Sequence, residues 1–215
     1  MTTIIDYGVG NLFSLTCSLE KIGETVEVTS DPDKILAARR IILPGVGAFE
    51  DAAQKLRDSG LDKLLLQKAA AGTPILGICL GMQMLFDKSF EFGEHQGLGL
   101  IRGNVRPIAP LIGSLKTPQM GWNALVFPKD KPKHPIFKYV NEGDYVYFVH
   151  SYAAMECEAS VSAQTEYGTL LTAAACSGNV YGMQFHPEKS GNVGLAILRA
   201  FTEIPASQPS FGGYL

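Results

Sequence analysis

Residues 69–86, AAAGTPILGICLGMQMLF, carry no charge, and their length approaches that of a membrane span. Either they cross a bilayer or they are several buried elements in succession. Gly72, Thr73 and Pro74 punctuate the stretch near its start, and Gly77 and Gly81 follow. That spacing breaks a continuous helix. The better parse is a helix end, a turn, a buried strand at residues 74–78 and a new helix over residues 80–86. A buried strand running directly into a helix is an α/β signature, and no membrane segment is expected.

The flanking sequence repeats the pattern. Residues 2–6 form a β-rich run followed by the turn residues Gly8 and Gly10. Asn11 then caps a helix carrying Leu12, Leu15, Leu19 and Ile22, and Gly23 stops it. Strands are expected at residues 25–29 and 39–43, with a helical piece opened by Asp31-Pro32-Asp33 between them. Residues 48–58 and 61–71 read as helices. Short strands separated by helices imply right-handed crossovers and a parallel sheet. Apolar runs without alternation suit strands covered on both faces.

From residue 97 to 185 strand-like runs follow one another, at 99–108, 124–127, 145–152, 159–165, 170–176 and 180–185. A helix over 190–201 closes the pattern. The expected fold is α/β: a mostly parallel central sheet flanked by helices, with antiparallel or mixed strands added in the second half. No internal repeat or linker divides residues 1–204, which are expected to form one domain. The Pro-, Ser- and Gly-rich residues 205–215 are expected to be a mobile tail.

Composition narrows the function classes. Of 215 residues, 46% are hydrophobic and 18% charged, and 18 Lys and Arg stand against 21 Asp and Glu for a net charge of −3. This excludes disorder and coiled coil and gives no basic footprint for nucleic acid. Asp6 interrupts the apolar start, so no secretory signal is expected. Cys17, Cys79, Cys157 and Cys176 show neither CxxC spacing nor a Cys/His cluster. No metal and no cofactor are expected, and the simplest setting is the cytoplasm, with reduced thiols.

Three segments carry chemistry. Gly77-Ile78-Cys79-Leu80-Gly81 sits where a strand meets a helix and has the nucleophile-elbow pattern, with Cys at its centre. Small residues two positions to either side relieve the crowded turn, and the helix N-terminus favours a thiolate. On the pentapeptide alone, a buried core cysteine is an equal reading. Near the C-terminus, His186-Pro187-Glu188 follows a strand. Positions two apart in extended chain share a face, so Glu188 can hold one ring nitrogen of His186 and leave the other for Cys79. Leu43-Pro44-Gly45-Val46-Gly47 ends another parallel strand, at the sheet edge where ligands bind. Amides of Gly45, Val46 and Gly47, with the N–H of Leu80, are candidate oxyanion donors. An ordinary strand-to-helix turn is the alternative there.

Together these segments resemble the class I, triad glutamine amidotransferases. The wider chain, to about residue 202, resembles the family of glutaminase subunits of imidazole glycerol phosphate synthase. That narrower likeness rests on Ile5-Asp6-Tyr7-Gly8, Gly10-Asn11-Leu12, LPGVGAF (43–49), KTPQMGWN (116–123) and YFVHSY (147–152). The resemblance implies catalysis by Cys79, His186 and Glu188, with glutamine held by Gln83, Glu91 and the backbone around Ser151 and Tyr152. It implies a (β/α)8-barrel synthase partner in a heterodimer, contacted by Asn11, Met120, Trp122, Asn123, Tyr147 and Lys189. The partner would use the ammonia to make imidazole glycerol phosphate and an aminoimidazole carboxamide ribonucleotide, in histidine biosynthesis. From composition alone, Trp122 could equally fill the core. Competing readings are a glutaminase subunit for anthranilate, aminodeoxychorismate or guanylate synthesis, a stand-alone γ-glutamyl hydrolase or cysteine peptidase, and an inactive regulatory subunit.

Overall fold

A computed structural model describes residues 1–205; the expected mobile tail lies, apart from Pro205, outside the described residues. The first half alternates as its sequence pattern predicts: β1 (Thr2–Ile5), α1 (Leu12–Lys21), β2 (Val26–Thr29), α2 (Pro32–Ala37), β3 (Ile41–Leu43), α3 (Phe49–Asp58), α4 (Leu61–Ala70), β4 (Ile75–Ile78) and α5 (Leu80–Met84). The Asn11 side chain accepts from the Ser14 N–H at 3.3 Å, and that of Asp31 from the Asp33 N–H at 2.9 Å, so both helices start on capped ends.

The second half is built from β5 (Phe86–Ser89), β6 (His95–Gln96), β7 (Ile101–Pro107), β8 (Gln119–Ala124), β9 (Tyr145–His150), β10 (Tyr152–Met155), β11 (Val161–Glu166), β12 (Leu170–Ser177), β13 (Val180–Met183) and α6 (Gly191–Thr202). The central sheet has the order β11-β12-β13-β4-β3-β1-β2. Its β2, β1, β3, β4 and β13 run parallel, and β12 and β11 are antiparallel additions. The mostly parallel α/β sheet with mixed strands from the second half is therefore present.

The remaining strands leave that sheet. β10, β7, β5 and β6 form a four-stranded sheet, and β8 and β9 a two-stranded ribbon. The run expected at 145–152 divides at Ser151, because β9 pairs with β8 whereas β10 pairs with β7. The Ser151 carbonyl marks the switch by accepting from the Ile108 N–H at 3.0 Å. The strand expected at 124–127 lies earlier, at 119–124. Leu125 and Phe127 are buried in the core, and Val126 makes only an isolated bridge to Gln164. The helix after Cys79 stops at Met84, and Phe86 already belongs to β5.

Both faces of the parallel strands are covered. Ile5, Ile41, Leu43 and Ile75 pack with Phe49, Leu56, Leu61 and Leu65 of α3 and α4. Ile4, Ile42, Leu76 and Ile78 pack on the other side with Leu15 and Leu19 of α1 and with Ile197, Leu198 and Phe201 of α6. Each fully buried Leu, Ile or Phe contributes about 1.5–3 kcal/mol relative to an exposed one. Among the described residues no helix is long and apolar enough to cross a membrane. Because β1, β3, β4 and β13 are parallel, their carboxyl ends deliver residues 6–11, 44–48, 79 and 184–188 to one edge of the sheet.

Candidate active site

Cys79 sits between β4 and α5 at φ 54° and ψ −111°. A positive φ costs a non-glycine residue on the order of 1–3 kcal/mol, so the surroundings must impose it. A Cβ on Gly77 would lie 2.6 Å from the Gly81 carbonyl oxygen, and one on Gly45 would lie 2.7 Å from the Gly81 nitrogen. A Cβ on Gly81 would overlap the Leu43 carbonyl oxygen. The two glycines flanking Cys79 are therefore required by contact. Gly45 is required too, because the loop after β3 lies directly against the first turn of α5. The Cys79 N–H donates to the Met183 carbonyl at 2.7 Å, locking the elbow to the end of β13.

His186 leaves β13 in extended conformation, φ −98° and ψ 98°, and its N–H donates to the Tyr147 carbonyl at 2.9 Å. Glu188 does not continue the extended chain. Pro187–Lys189 form a 3-10 turn, and this turn brings the carboxylate back to the ring. Nδ1 of His186 and Oε1 of Glu188 are 2.7 Å apart, and both side chains are almost fully buried. A carboxylate only accepts, so Nδ1 carries a proton. Nε2 is buried without a hydrogen bond. Burial opposes charge on the ring, but its interactions with Cys79 and Glu188 outweigh that cost and push it up to about 9. This setting favours the charged imidazolium.

This has a consequence for stability. The native ring holds its proton more tightly than the ordinary value of 6.5 allows. Its contribution is complete below about pH 6.5 and is lost as pH rises toward about 9. Glu188→Gln removes one of the charges that raise it. Thermal unfolding of the variant should therefore lose less Tm than the parent between pH 6.5 and 9. Parallel curves over that window would contradict this assignment.

Cys79 and His186 share a cavity of about 330 Å³ with Val46, Gly47, Leu80, Gln83, Glu91, Ser151 and Tyr152. Small-molecule sites span about 300–1,000 Å³. Gly45 is not among its lining residues; it is packed behind them against Gly81. Gly47, at φ 94°, supplies the left-handed bend of that loop. The Pro44 carbonyl is held by the Tyr7 hydroxyl at 2.7 Å. Glu91 accepts from the Phe49 N–H at 2.6 Å, so it caps the first turn of α3 as well as lining the cavity. Gln83 donates from Nε2 to the Tyr152 carbonyl and to Gln184 Oε1, both at 3.0 Å.

Two lining or neighbouring polar residues are absent from the sequence reading. Gln184 is fully buried and its Nε2 lies 3.8 Å from the Cys79 sulfur. His150, 6% exposed, lines the cavity and contacts the Tyr152 carbonyl through Nδ1 at 2.9 Å. A signal was present for His150. It interrupts the apolar face that Val146 and Phe148 establish along β9.

The residues expected at a partner contact lie on the surface or near it. Met120 and Trp122 are 63% and 52% exposed, so the core reading of Trp122 is excluded. The Trp122 ring meets Tyr147 edge-on at 6.1 Å, and Lys189 Nζ lies 5.7 Å from the Tyr147 ring centre. Asn11 is the α1 cap, and Asn123 bridges Gln119 to the Glu166 carbonyl.

Known proteins share the sequence and the fold of this chain. The family "glutamine amidotransferase class-I" matches residues 3–203. An imidazole glycerol phosphate synthase subunit HisH from Carboxydothermus hydrogenoformans is 50% identical, over 95% of this chain and 100% of its own length. The subunit of the same name from Oceanobacillus iheyensis is 45% identical, over 95% and 99%. A crystal structure of a glutamine amidotransferase superposes with TM-score 0.71 at 15% identity, covering 93% of this chain and 98% of that one. A PurLQS structure from Thermotoga maritima gives 0.69 at 19% identity, covering 94% and 96%. These two share the fold. The chain thus belongs to the class I glutamine amidotransferases, in the group of HisH subunits of imidazole glycerol phosphate synthase.

Proposed function

We propose that residues 1–204 act as one glutamine amidotransferase domain that hydrolyses glutamine and passes the ammonia to a (β/α)8-barrel synthase subunit in a heterodimer. The observation that carries this reading is the convergence of Cys79 and His186 on one cavity at the carboxyl edge of a parallel sheet, with Glu188 holding the far nitrogen of the ring. The Cys79 thiolate attacks the side-chain amide carbon of glutamine. N–H groups of Leu80 and of the Val46–Gly47 turn stabilise the oxyanion. The protonated His186, oriented by Glu188, gives its Nε2 proton to the departing nitrogen. The C–N bond breaks, ammonia leaves, and a γ-glutamyl thioester remains on Cys79. His186, now neutral, takes a proton from water as the water attacks, and glutamate is released.

Gln83, Glu91 and the Ser151–Tyr152 backbone hold the substrate. Three carbonyl and amide groups there are already engaged within the chain, so the free Oε1 of Gln83 and the remaining N–H groups do the binding. Asn11, Met120, Trp122, Asn123, Tyr147 and Lys189 form the partner contact, where exposed aromatic and methionine side chains are typical. The barrel combines ammonia with its nucleotide substrate to give imidazole glycerol phosphate and aminoimidazole carboxamide ribonucleotide, a step of histidine biosynthesis. A cytoplasmic setting suits four cysteines that are all unpaired.

Ammonia released without an acceptor is wasted, so the free subunit is held nearly idle by the Gly45–Gly47 loop. Loss of one oxyanion donor lowers turnover by about 10²–10³-fold. Glutaminase turnover of the isolated chain should fall below that of the substrate-loaded complex by this factor. Equal rates would overturn the gating. Reconstitution with the barrel subunit should give both nucleotide products from glutamine; ammonia release with no product in the complex would overturn the assigned pathway.

A further inference from the structure

The ribbon β8–β9 brings two buried acceptors together beside the reaction cavity. Gln119 and His150 are directly opposite in its register, so their side chains leave on the same face. Gln119 is fully buried and His150 nearly so. Their orientations are fixed by their partners. Nδ1 of His150 lies against the Tyr152 carbonyl, which only accepts, so Nδ1 carries the proton. Burial pulls this ring down to about 4, and the neighbouring His186 adds to the effect, so it stays neutral and Nε2 is a bare lone pair. Asn123 donates to the Glu166 carbonyl, which turns its Oδ1 toward Gln119; Gln119 donates to it from Nε2 at 3.0 Å and keeps Oε1 free. Both Oε1 of Gln119 and Nε2 of His150 are buried without a hydrogen bond. Being acceptors, they cannot satisfy each other. A pair of buried, unpaired acceptors destabilises the fold unless something with N–H or O–H groups occupies the space between them.

We propose that Gln119 Oε1 and His150 Nε2 receive the N–H groups of the leaving nitrogen and hold the nascent ammonia on its way out of the cavity. The inference rests on the glutaminase reading above. When the C–N bond breaks, nitrogen keeps the bonding pair and gains the His186 proton. Ammonia then presents three N–H donors. A neutral imidazole suits this task, since a protonated one would repel the donors. The same ribbon carries Met120 and Trp122 exposed on its outer face. The acceptors and the surface assigned to the partner thus lie on opposite faces of one ribbon, and His150 also lines the cavity that holds Cys79.

The test compares glutamine with the γ-methyl ester of glutamate in the reconstituted complex. Both substrates share the amino-acid head and the thioester, but the ester's leaving oxygen carries no hydrogen until His186 protonates it, whereas the amide nitrogen carries two N–H groups throughout. His150→Phe keeps ring volume and removes the acceptor; His150→Gln returns an acceptor near the Nε2 position. His150→Phe should lower kcat for glutamine about tenfold while changing kcat for the ester less than twofold, and His150→Gln should recover most of the loss. Alkylation of Cys79 by a chloroketone analogue of glutamine should proceed at the parent rate in both variants. Equal losses on amide and ester, or no loss on either, would overturn the proposal. If the parent protein itself resisted the chloroketone and hydrolysed neither substrate, the glutaminase reading would fail first.

Discussion

Cys79→Ala, placed in the complex with the synthase partner, is expected to reduce glutamine-dependent synthesis by roughly 10⁴–10⁶-fold, the scale seen when a covalent nucleophile is removed. Synthesis driven by an added ammonium salt should stay within about twofold of the parent. The contrast follows from the division of labour. Cys79 is needed only to cut ammonia from glutamine, and it lies at the carboxyl edge of this chain's own sheet. The substitution itself is mild: alanine retains the Cβ, the N–H to Met183 and the close approach of Gly77 and Gly81. Assays with both nitrogen sources on one preparation make the comparison. Loss of both activities would mean that Cys79 serves something other than ammonia release.

Gly81→Ala is expected to damage the fold around the site severely. Its new methyl group would overlap the Leu43 carbonyl oxygen, which is backbone of β3 and cannot rotate away. Overpacking on this scale costs about 3 kcal/mol or more, and the elbow would have to move to relieve it. Cys79 would leave its position beside His186, so glutaminase turnover should fall with stability. Gly23→Ala is the control: its φ is 84° but no atom lies within 4 Å of the added Cβ, leaving only backbone strain of about 1 kcal/mol. Urea unfolding of the three proteins gives the difference. A Gly81→Ala protein as stable as the control, with parental turnover, would show that the elbow is not under this constraint.

What could be read from residues alone divides along physical lines. The parallel half was legible because short Ile- and Leu-rich runs bounded by glycine and proline have few alternatives. The elbow was legible because Gly77 and Gly81 both answer to close backbone contacts in a tight strand-to-helix turn. Glu188 was paired with His186 correctly but through the wrong local geometry, since Pro187 starts a 3-10 turn that alternation does not describe. The β8 strand escaped notice because Gln119-Met-Gly-Trp-Asn-Ala has no apolar run; it is held by pairing with β9, a contact that sequence pattern does not carry. Gln184 was missed for a related reason. A buried polar residue is defined by partners remote in the chain, such as Gln83 for Gln184.

The most direct measurement is acid quenching of the substrate-loaded complex during turnover of glutamine, followed by mass spectrometry of its cysteine-containing peptides. The account predicts a γ-glutamyl group on Cys79, absent from Cys17, Cys157 and Cys176, with accumulation increased when water attack is slowed. Turnover that continues with the adduct on another cysteine, or that survives replacement of Cys79, would contradict it.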